Sequence, residues 1–361
     1  MIELPPRPRI LVVALRRIGD VLLTTPLIRS LRRAWPDAVI DALVFADTAG
    51  ILAGNPDLDG TIALPAGAGF GETAELAGRL AKRYALAIST QTGDRPTFFA
   101  ALAGRQSLAP VSGGNAMAAF KRLIVTHHVR PAANVHRVEE MLRLADAAGA
   151  PRVPQVVCPE GRVRDALLPM QPYAVIHPSP MYRYKQWTAE GWGGLAAALA
   201  QRGLQVCVTG GPAAAERDYI DRVLQGAPQV TRLDGRLGWH EIAALMHGAR
   251  VFVGPDTSVT HLAAASGAPT VALFGPTDPT LWGPWPAEGL PDPWARTGTI
   301  QRRGNVWLVQ NPLPCMPCQQ EGCERHLASY SRCLDELPLA RVLAAVHDAL
   351  GERARESGVG A

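Results

Sequence analysis

The sequence predicts an α/β protein made of two parallel-sheet domains, and three observations carry that prediction. Apolar runs of strand length, without the alternation of a half-exposed sheet, recur between stretches of helical period. These runs end in loops rich in Gly, Pro, Thr and Asp, at the edge where open α/β sheets gather their ligands. Between Pro151 and Pro172 the chain is rich in Pro and has no period, which places a domain boundary near residues 152–172. A chain of 361 residues can fill two cores, and 47% hydrophobic with 19% charged residues describes a globular protein. The formal charge of +4 comes from scattered Arg; it gives no sign of nucleic-acid binding and suits an anionic lipid or phosphorylated acceptor. No apolar run reaches transmembrane length and the amino terminus lacks a signal-peptide layout, so a cytosolic protein is expected.

The first strand is Ile10 to Leu15. It runs into Arg16-Arg17-Ile18-Gly19-Asp20, where Gly19 is expected to allow a tight turn, and then into a helix reaching about Trp35. Asp20 stands at the helix start on the carboxyl edge of the strand, where an Asp serves either as a cap or as a catalytic group. The alternation continues with strand Val39 to Phe45, helix Glu72 to Arg83, strand Ala85 to Ser89 and helix Val138 to Ala148. Thr90 to Arg95 follows a strand end, so Asp94 and Arg95, with Arg17, are candidates for the acceptor side of a site. The run Lys121 to Arg137 holds His127, His128 and His136 without the carboxylates or thiols a metal needs, and reads as solvated or acceptor-facing.

The second domain opens with strand Tyr173 to His177. A loop carrying Lys185 and Trp187 leads to helix Glu190 to Arg202, then strand Leu204 to Gly210 with Glu216 in the helix behind it. Its most informative stretch is Gly254 to Trp285. The strand Val251 to Val253 ends at Gly254-Pro255, and Asp256, Thr257 and Ser258 open a helix carrying His261. An Asp can cap that helix, and its free amides form a positive pole suited to a phosphate. Gly267-Ala268-Pro269 ends the helix, and the strand Thr270 to Phe274 stops at Gly275-Pro276-Thr277-Asp278-Pro279. The last helix runs from Leu337 to about Leu350, with Gly351 as its stop and a flexible Gly- and Ala-rich end. Neither G-x-G-x-x-G after a strand nor G-x-x-x-x-G-K-S/T occurs, which disfavours dinucleotide redox and P-loop chemistry. Cys315, Cys318, Cys323 and Cys333 are spaced C-x2-C-x4-C-x9-C. They read either as reduced packing thiols or as ligands of a structural zinc or iron, on a spacing irregular for a zinc ribbon.

Three segments together carry a family resemblance. Asp256-Thr257-Ser258-x-x-His261-Leu-Ala-Ala-Ala, followed by Leu273-Phe-Gly-Pro-Thr-Asp-Pro279 and Pro284-Trp285, resembles the nucleotide-sugar segment of family 9 glycosyltransferases, the lipopolysaccharide heptosyltransferases. Arg16-x-Ile-Gly-Asp-Val-Leu-Leu-Thr-Thr-Pro26 resembles their opening motif, and His177-Pro178 with Lys185-x-Trp187 their second. The Arg183-Tyr-Lys-Gln-Trp form is most similar to the heptosyltransferase III branch.

The resemblance implies a GT-B-like fold, two Rossmann-like domains facing a central cleft. The acceptor domain would span residues 1–155 and the donor domain 172–336, with a Cys-rich segment at 315–333. The helix in 337–361 would return to the first domain. It also implies inverting transfer of heptose from ADP-L-glycero-D-manno-heptose to lipopolysaccharide inner core at the inner membrane surface, with no required cofactor. Asp20 would be the general base, with Gly19 facing the donor, and Lys185 would neutralise the diphosphate. Glu216 would take the ribose hydroxyls, the backbone at Leu237 the adenine, and Asp256, Thr257, Ser258 and His261 the phosphate loop. Ser258 stands where many members carry Gly. A GT-B-like epimerase, a protein heptosyltransferase with a Cys-bound metal, and a non-catalytic nucleotide-binding protein are the rival readings.

Overall fold

A computed structural model of the protein describes residues 2–169, 172–227 and 230–351. The chain divides into two compact units, Met1–Glu160 and Gly161–Ala361. The division lies within the expected boundary region, of which residues 170 and 171 lie outside the described ones. It falls after Glu160 because the Pro-rich stretch is tied to the first unit. Val153 N–H donates to Ser30 Oγ, Val157 N–H to Thr25 Oγ1 and Glu160 N–H to the Ala53 carbonyl.

The first unit comprises β1 (Arg9–Ala14), α1 (Ile18–Leu22), α2 (Thr25–Ala34), β2 (Val39–Phe45), β3 (Gly60–Leu64), α3 (Phe70–Leu80), β4 (Tyr84–Ser89), α4 (Asp94–Ala103), β5 (Gly104–Pro110), α5 (Ala116–Ile124), β6 (His127–Val129) and α6 (Arg137–Ala148). Its sheet has the order β3-β2-β1-β4-β5-β6, with every pairing parallel. This is a doubly wound arrangement, with helices covering both faces and continuous apolar strands at its centre. One expected helix is two here. Pro26 has no N–H to continue a helix and sits in the first turn of α2, while the Thr24 and Thr25 hydroxyls bond back to the carbonyls of Asp20 and Leu22. Gly19 is likewise not a turn residue; it lies in the first turn of α1, and the chain reverses at Leu15 to Arg17.

The second unit comprises β7 (Tyr173–Ile176), α7 (Ala189–Gln201), β8 (Gln205–Val208), α8 (Ala214–Val223), β9 (Thr231–Arg232), α9 (Trp239–His247), β10 (Val251–Pro255), α10 (Ser258–Ala265), β11 (Thr270–Phe274), α11 (Pro279–Trp282), β12 (Ile300–Arg303), β13 (Val306–Gln310), α12 (Arg332–Asp335) and α13 (Leu339–Ala349). Its order is β12-β13-β11-β10-β7-β8-β9, parallel except for the β12–β13 hairpin at one edge. One face of this sheet packs on Trp187 and Trp192, whose rings meet edge to face at 5.3 Å. The last helix, expected to return to the first domain, contributes Val342, Ala345 and Val346 to this core of the second unit. The expected flexible end after Gly351 lies outside the described residues.

Candidate active site

In the first unit the polar rim forms at the carboxyl ends of β1 and β4. Asp20, in the first turn of α1, lies between two guanidinium groups: Arg16 Nε is 3.4 Å and Arg137 Nε 3.5 Å from its Oδ1. Arg137 is only 5% exposed, and burial, partly offset by Asp20, pulls its guanidinium below the ordinary value. It is fixed from two other sides, donating to the Thr90 carbonyl at 3.0 Å and to Glu140 Oε2 at 3.0 Å. Thr90 therefore does share a rim with Asp20, as its place after a strand end predicts. Arg17 is the exposed N-cap of α1. Asp94 pairs with Lys121, and Arg95 gives its donors to the Ala68 carbonyl (2.9 Å) and Thr73 Oγ1 (2.6 Å). His127 and His128 are exposed on β6, whereas His136 is buried and caps α6, its Nδ1 accepting from Val138 N–H.

In the second unit the rim is built around Asp256, 8% exposed at the end of β10. Its Oδ2 accepts from Lys185 Nζ at 2.6 Å and from Thr277 Oγ1 at 2.7 Å, and His261 Nε2 is 4.0 Å from its Oδ1. Burial alone would raise this carboxyl; the charges of Lys185 and His261 and the two hydrogen bonds outweigh it and hold the group below the usual carboxylate range. The expected cap is displaced by one residue. Thr257, not Asp256, is the N-cap of α10, accepting from Thr260 N–H, because Asp256 is turned to the lysine. Ser258 opens the helix, and every residue from Val259 to Ala265 is buried. A Cβ on Gly254 would lie 2.6 Å from the Phe252 ring and 2.9 Å from Thr260 Oγ1, so only glycine lets the strand end pass this close to the helix. Lys185 thus stands beside the pole of α10. The second rim aspartate, Asp278, has a local role as N-cap of α11 and partner of Arg296 at 2.9 Å.

Glu216, half-buried in α8, accepts the Gly211 N–H at 2.7 Å and so lies at the loop following β8. Leu237 packs against the core beneath α9. Gly235 between them has φ +69°, and a Cβ there would lie 2.9 Å from Pro212 Cα, so this turn needs glycine to draw the Leu237 backbone toward the same loop.

The cysteine loop packs under the rim of the second unit. Gln319 N–H donates to the Pro276 carbonyl, and a Cβ on Gly275 would meet Leu334 at 2.7 Å and Cys333 Sγ at 3.4 Å. Cys315 and Cys323 are exposed, Cys318 is half-buried and Cys333 buried. Burial, then the neighbouring Cys318, Cys323 and Cys315, push the Cys333 thiol up to about 12. Among the described residues no group of three or more His, Cys, Asp or Glu side chains has the arrangement of a metal site, although three cysteines lie near enough to Cys333 to act on its charge.

Sequence reasoning missed Arg137 and Thr277 as partners of the two aspartates. It also missed a cavity of about 720 Å³ in the first unit, beyond the ends of β5 and β6, lined by Ser112, Gly113, Gly114, Arg122, His128 and Arg130 among others.

This pair of doubly wound sheets is the architecture of GT-B-like glycosyltransferases. The solved Escherichia coli ADP-heptose lps heptosyltransferase II superposes with a TM-score of 0.73 at 19% identity, covering 95% of this chain and 99% of that one. An E. coli heptosyltransferase solved with ADP gives 0.72 at 20% identity, over 94% and 99%. The chain belongs to glycosyltransferase family 9 (heptosyltransferase), which it matches over residues 75–326, and it is a transferase. Lipopolysaccharide heptosyltransferase 3 of E. coli strain K12 is 30% identical over 299 residues, 78% of this chain and 86% of that protein.

Two predictions follow from the geometry. Replacing Arg137 by Met should lower kcat about tenfold to a hundredfold while leaving the nucleotide-sugar KM in place, because Arg137 holds Asp20 and touches none of the residues around Asp256. Arg137→Lys should restore part of the loss; equal changes in kcat and donor KM would contradict a positioning role.

His177, at the end of β7, is buried, with Nδ1 3.1 Å from Thr209 Oγ1, and burial pushes its imidazole down to about 4. Between pH about 6.5 and about 4 the unfolded chain binds a proton there that the folded chain refuses, so stability should fall as pH drops through that window, by about 3 kcal/mol at its lower end. Denaturant unfolding of His177→Gln should lose that part of the pH dependence, and an unchanged slope would refute the assignment.

Proposed function

We propose that this protein is an inverting heptosyltransferase of lipopolysaccharide core biosynthesis, moving heptose from ADP-L-glycero-D-manno-heptose to the inner core. The observation that carries the reading is Lys185, held 2.6 Å from the buried Asp256 beside the open pole of α10. An ammonium and a helix N-terminus together are a receiver for a departing diphosphate. The names of the relatives and the ADP bound in one of them support the donor.

In this reading Asp20 accepts the proton of the acceptor hydroxyl as its oxygen attacks the anomeric carbon. The bond from that carbon to the diphosphate oxygen breaks, and its electron pair leaves with ADP. Lys185 and the amides at Thr257 and Ser258 meet the new negative charge, while Asp256 and His261 hold that loop in shape. The diphosphate is a good leaving group, so one carboxylate suffices where a glycosidase needs two. A single displacement from the opposite face inverts the anomeric centre. Gly19 faces the donor, Glu216 takes the ribose hydroxyls and the Leu237 backbone reads the adenine. Arg17, Asp94 and Arg95 belong to the acceptor side, Asp94 paired with Lys121 and Arg95 bonded to Thr73. The enzyme works in the cytoplasm against a lipid-linked acceptor at the inner membrane, and none of the described helices is long and apolar enough to cross it.

Purified protein given ADP-heptose should release ADP only when a heptose-bearing core acceptor is added. Asp20→Ala should reduce that release about a hundredfold or more while donor affinity stays near wild type. Acceptor-dependent release at the wild-type rate in Asp20→Ala would remove the base, and product formed from donor alone would favour the epimerase reading.

A further inference from the structure

The first unit exposes an apolar ridge that no core explains. On α5, Met117, Phe120 and Leu123 are 43%, 48% and 80% exposed, three residues apart and so on one side of the helix. On α4, Phe98 and Leu102 are 37% and 41% exposed, and the Phe98 and Phe120 rings meet edge to face at 6.1 Å, which joins the two helices into one patch. The opposite side of α5 is already engaged: Ala118 packs with Ala109, Val111 and Val125, and Lys121 is buried against Asp94 and the Thr92 carbonyl. A helix with a satisfied inner face and a Phe- and Leu-bearing outer face is built to meet a second apolar phase.

The surrounding charge says which one. From Thr90 to His136 the chain carries Arg95, Arg105, Lys121, Arg122 and Arg130 against a single carboxylate, Asp94, although the whole chain is nearly balanced at 36 Lys and Arg to 32 Asp and Glu. Lys121 already neutralises that carboxylate. The cavity beside the ridge is lined by Arg122, Arg130, His128 and Ser112 to Gly114, with Arg122 also donating to the Gly113 carbonyl at 2.6 Å, and its two guanidiniums make it a receptacle for an anion. A second copy of this chain would bring the same positive charge to the same face and repel it; a bilayer with anionic headgroups offers both the apolar phase and the opposite charge.

We propose that the α4–α5 ridge docks on an anionic lipid bilayer, with Phe120 and Leu123 entering the headgroup–acyl boundary and Arg122 and Arg130 meeting lipid phosphates. The full chain should sediment with vesicles of phosphatidylcholine and phosphatidylglycerol in equal parts, stay in solution with phosphatidylcholine alone, and be released by added salt. Phe120→Ser with Leu123→Ser, and separately Arg122→Glu with Arg130→Glu, should each lower the bound fraction about tenfold. The apolar pair should keep the wild-type circular dichroism and turnover on a water-soluble acceptor fragment. Leu123→Gln alone, at the most exposed position, gives a milder variant should the pair fail to fold. The proposal is overturned if the wild type ignores the anionic vesicles, if either pair binds them as well as wild type, or if light scattering finds a wild-type dimer that the apolar pair dissociates. The assay contains neither nucleotide sugar nor acceptor, so its result is independent of the transfer reaction.

Discussion

The rim of the second unit rests on one buried charge. Asp256 sits where β10 gives way to α10, and a carboxylate so enclosed is costly unless its oxygens are met. Lys185, from the loop after β7, and Thr277, from the loop after β11, both reach Oδ2, so three neighbouring strand ends are pinned at one atom. Removing one partner of such a pair typically costs about 3–5 kcal/mol, because the other is left as an uncompensated buried charge. The same contact that holds the rim also fixes the lysine beside the helix pole, so that in the proposed reading one ammonium meets the needs of both the fold and the phosphate. Thr257 takes over the cap that the aspartate gives up, accepting the Thr260 N–H and keeping the start of α10 intact.

The first unit solves a different problem with the same residue type. Asp20 is also flanked by cations, but by guanidiniums at 3.4 and 3.5 Å, and not by an ammonium in hydrogen-bond contact. Arg137 is itself fixed by Thr90 and Glu140, so the carboxylate is oriented without being locked. Asp256 is thus anchored by two hydrogen bonds on one oxygen, whereas Asp20 is held between two guanidiniums by charge.

Legibility in the sequence followed locality. The β10–α10–β11 unit was readable because its strands are continuous apolar runs and its breaks are Gly and Pro, and β11 has the expected bounds. The α4–β5–α5–β6 segment was not readable: β5 carries Arg105, Gln106 and Ser107 where an apolar run would announce a buried strand. Its place is secured instead by the Thr126 hydroxyl, which bonds both the N–H and the carbonyl of Ser107. On α5 the helical period does not mark the core, because Met117, Phe120 and Leu123 face solvent. The β12–β13 hairpin went unassigned although Gly304-Asn305 between two strand-like runs is a turn signal. Candidate residues were legible through motif, but their contacts were not. Asp256 looked like a cap because its true partner lies on the loop after β7, and Arg137 looked like part of a solvated basic run because its burial depends on Asp20 and Thr90. Gly19 suggested a turn by identity alone, and the Thr24-Thr25-Pro26 break that splits the helix lay just beyond it.

The central claim is that the Asp256–Lys185 pair builds a diphosphate receiver on the second unit. It is tested most directly by titration calorimetry of ADP and of adenosine with wild type and Lys185→Met. ADP affinity should fall about tenfold or more in the variant while adenosine binds as before, because, of the ligand's groups, the ammonium meets the diphosphate and not the nucleoside. Unchanged ADP affinity, or an equal loss for both ligands, would contradict the account.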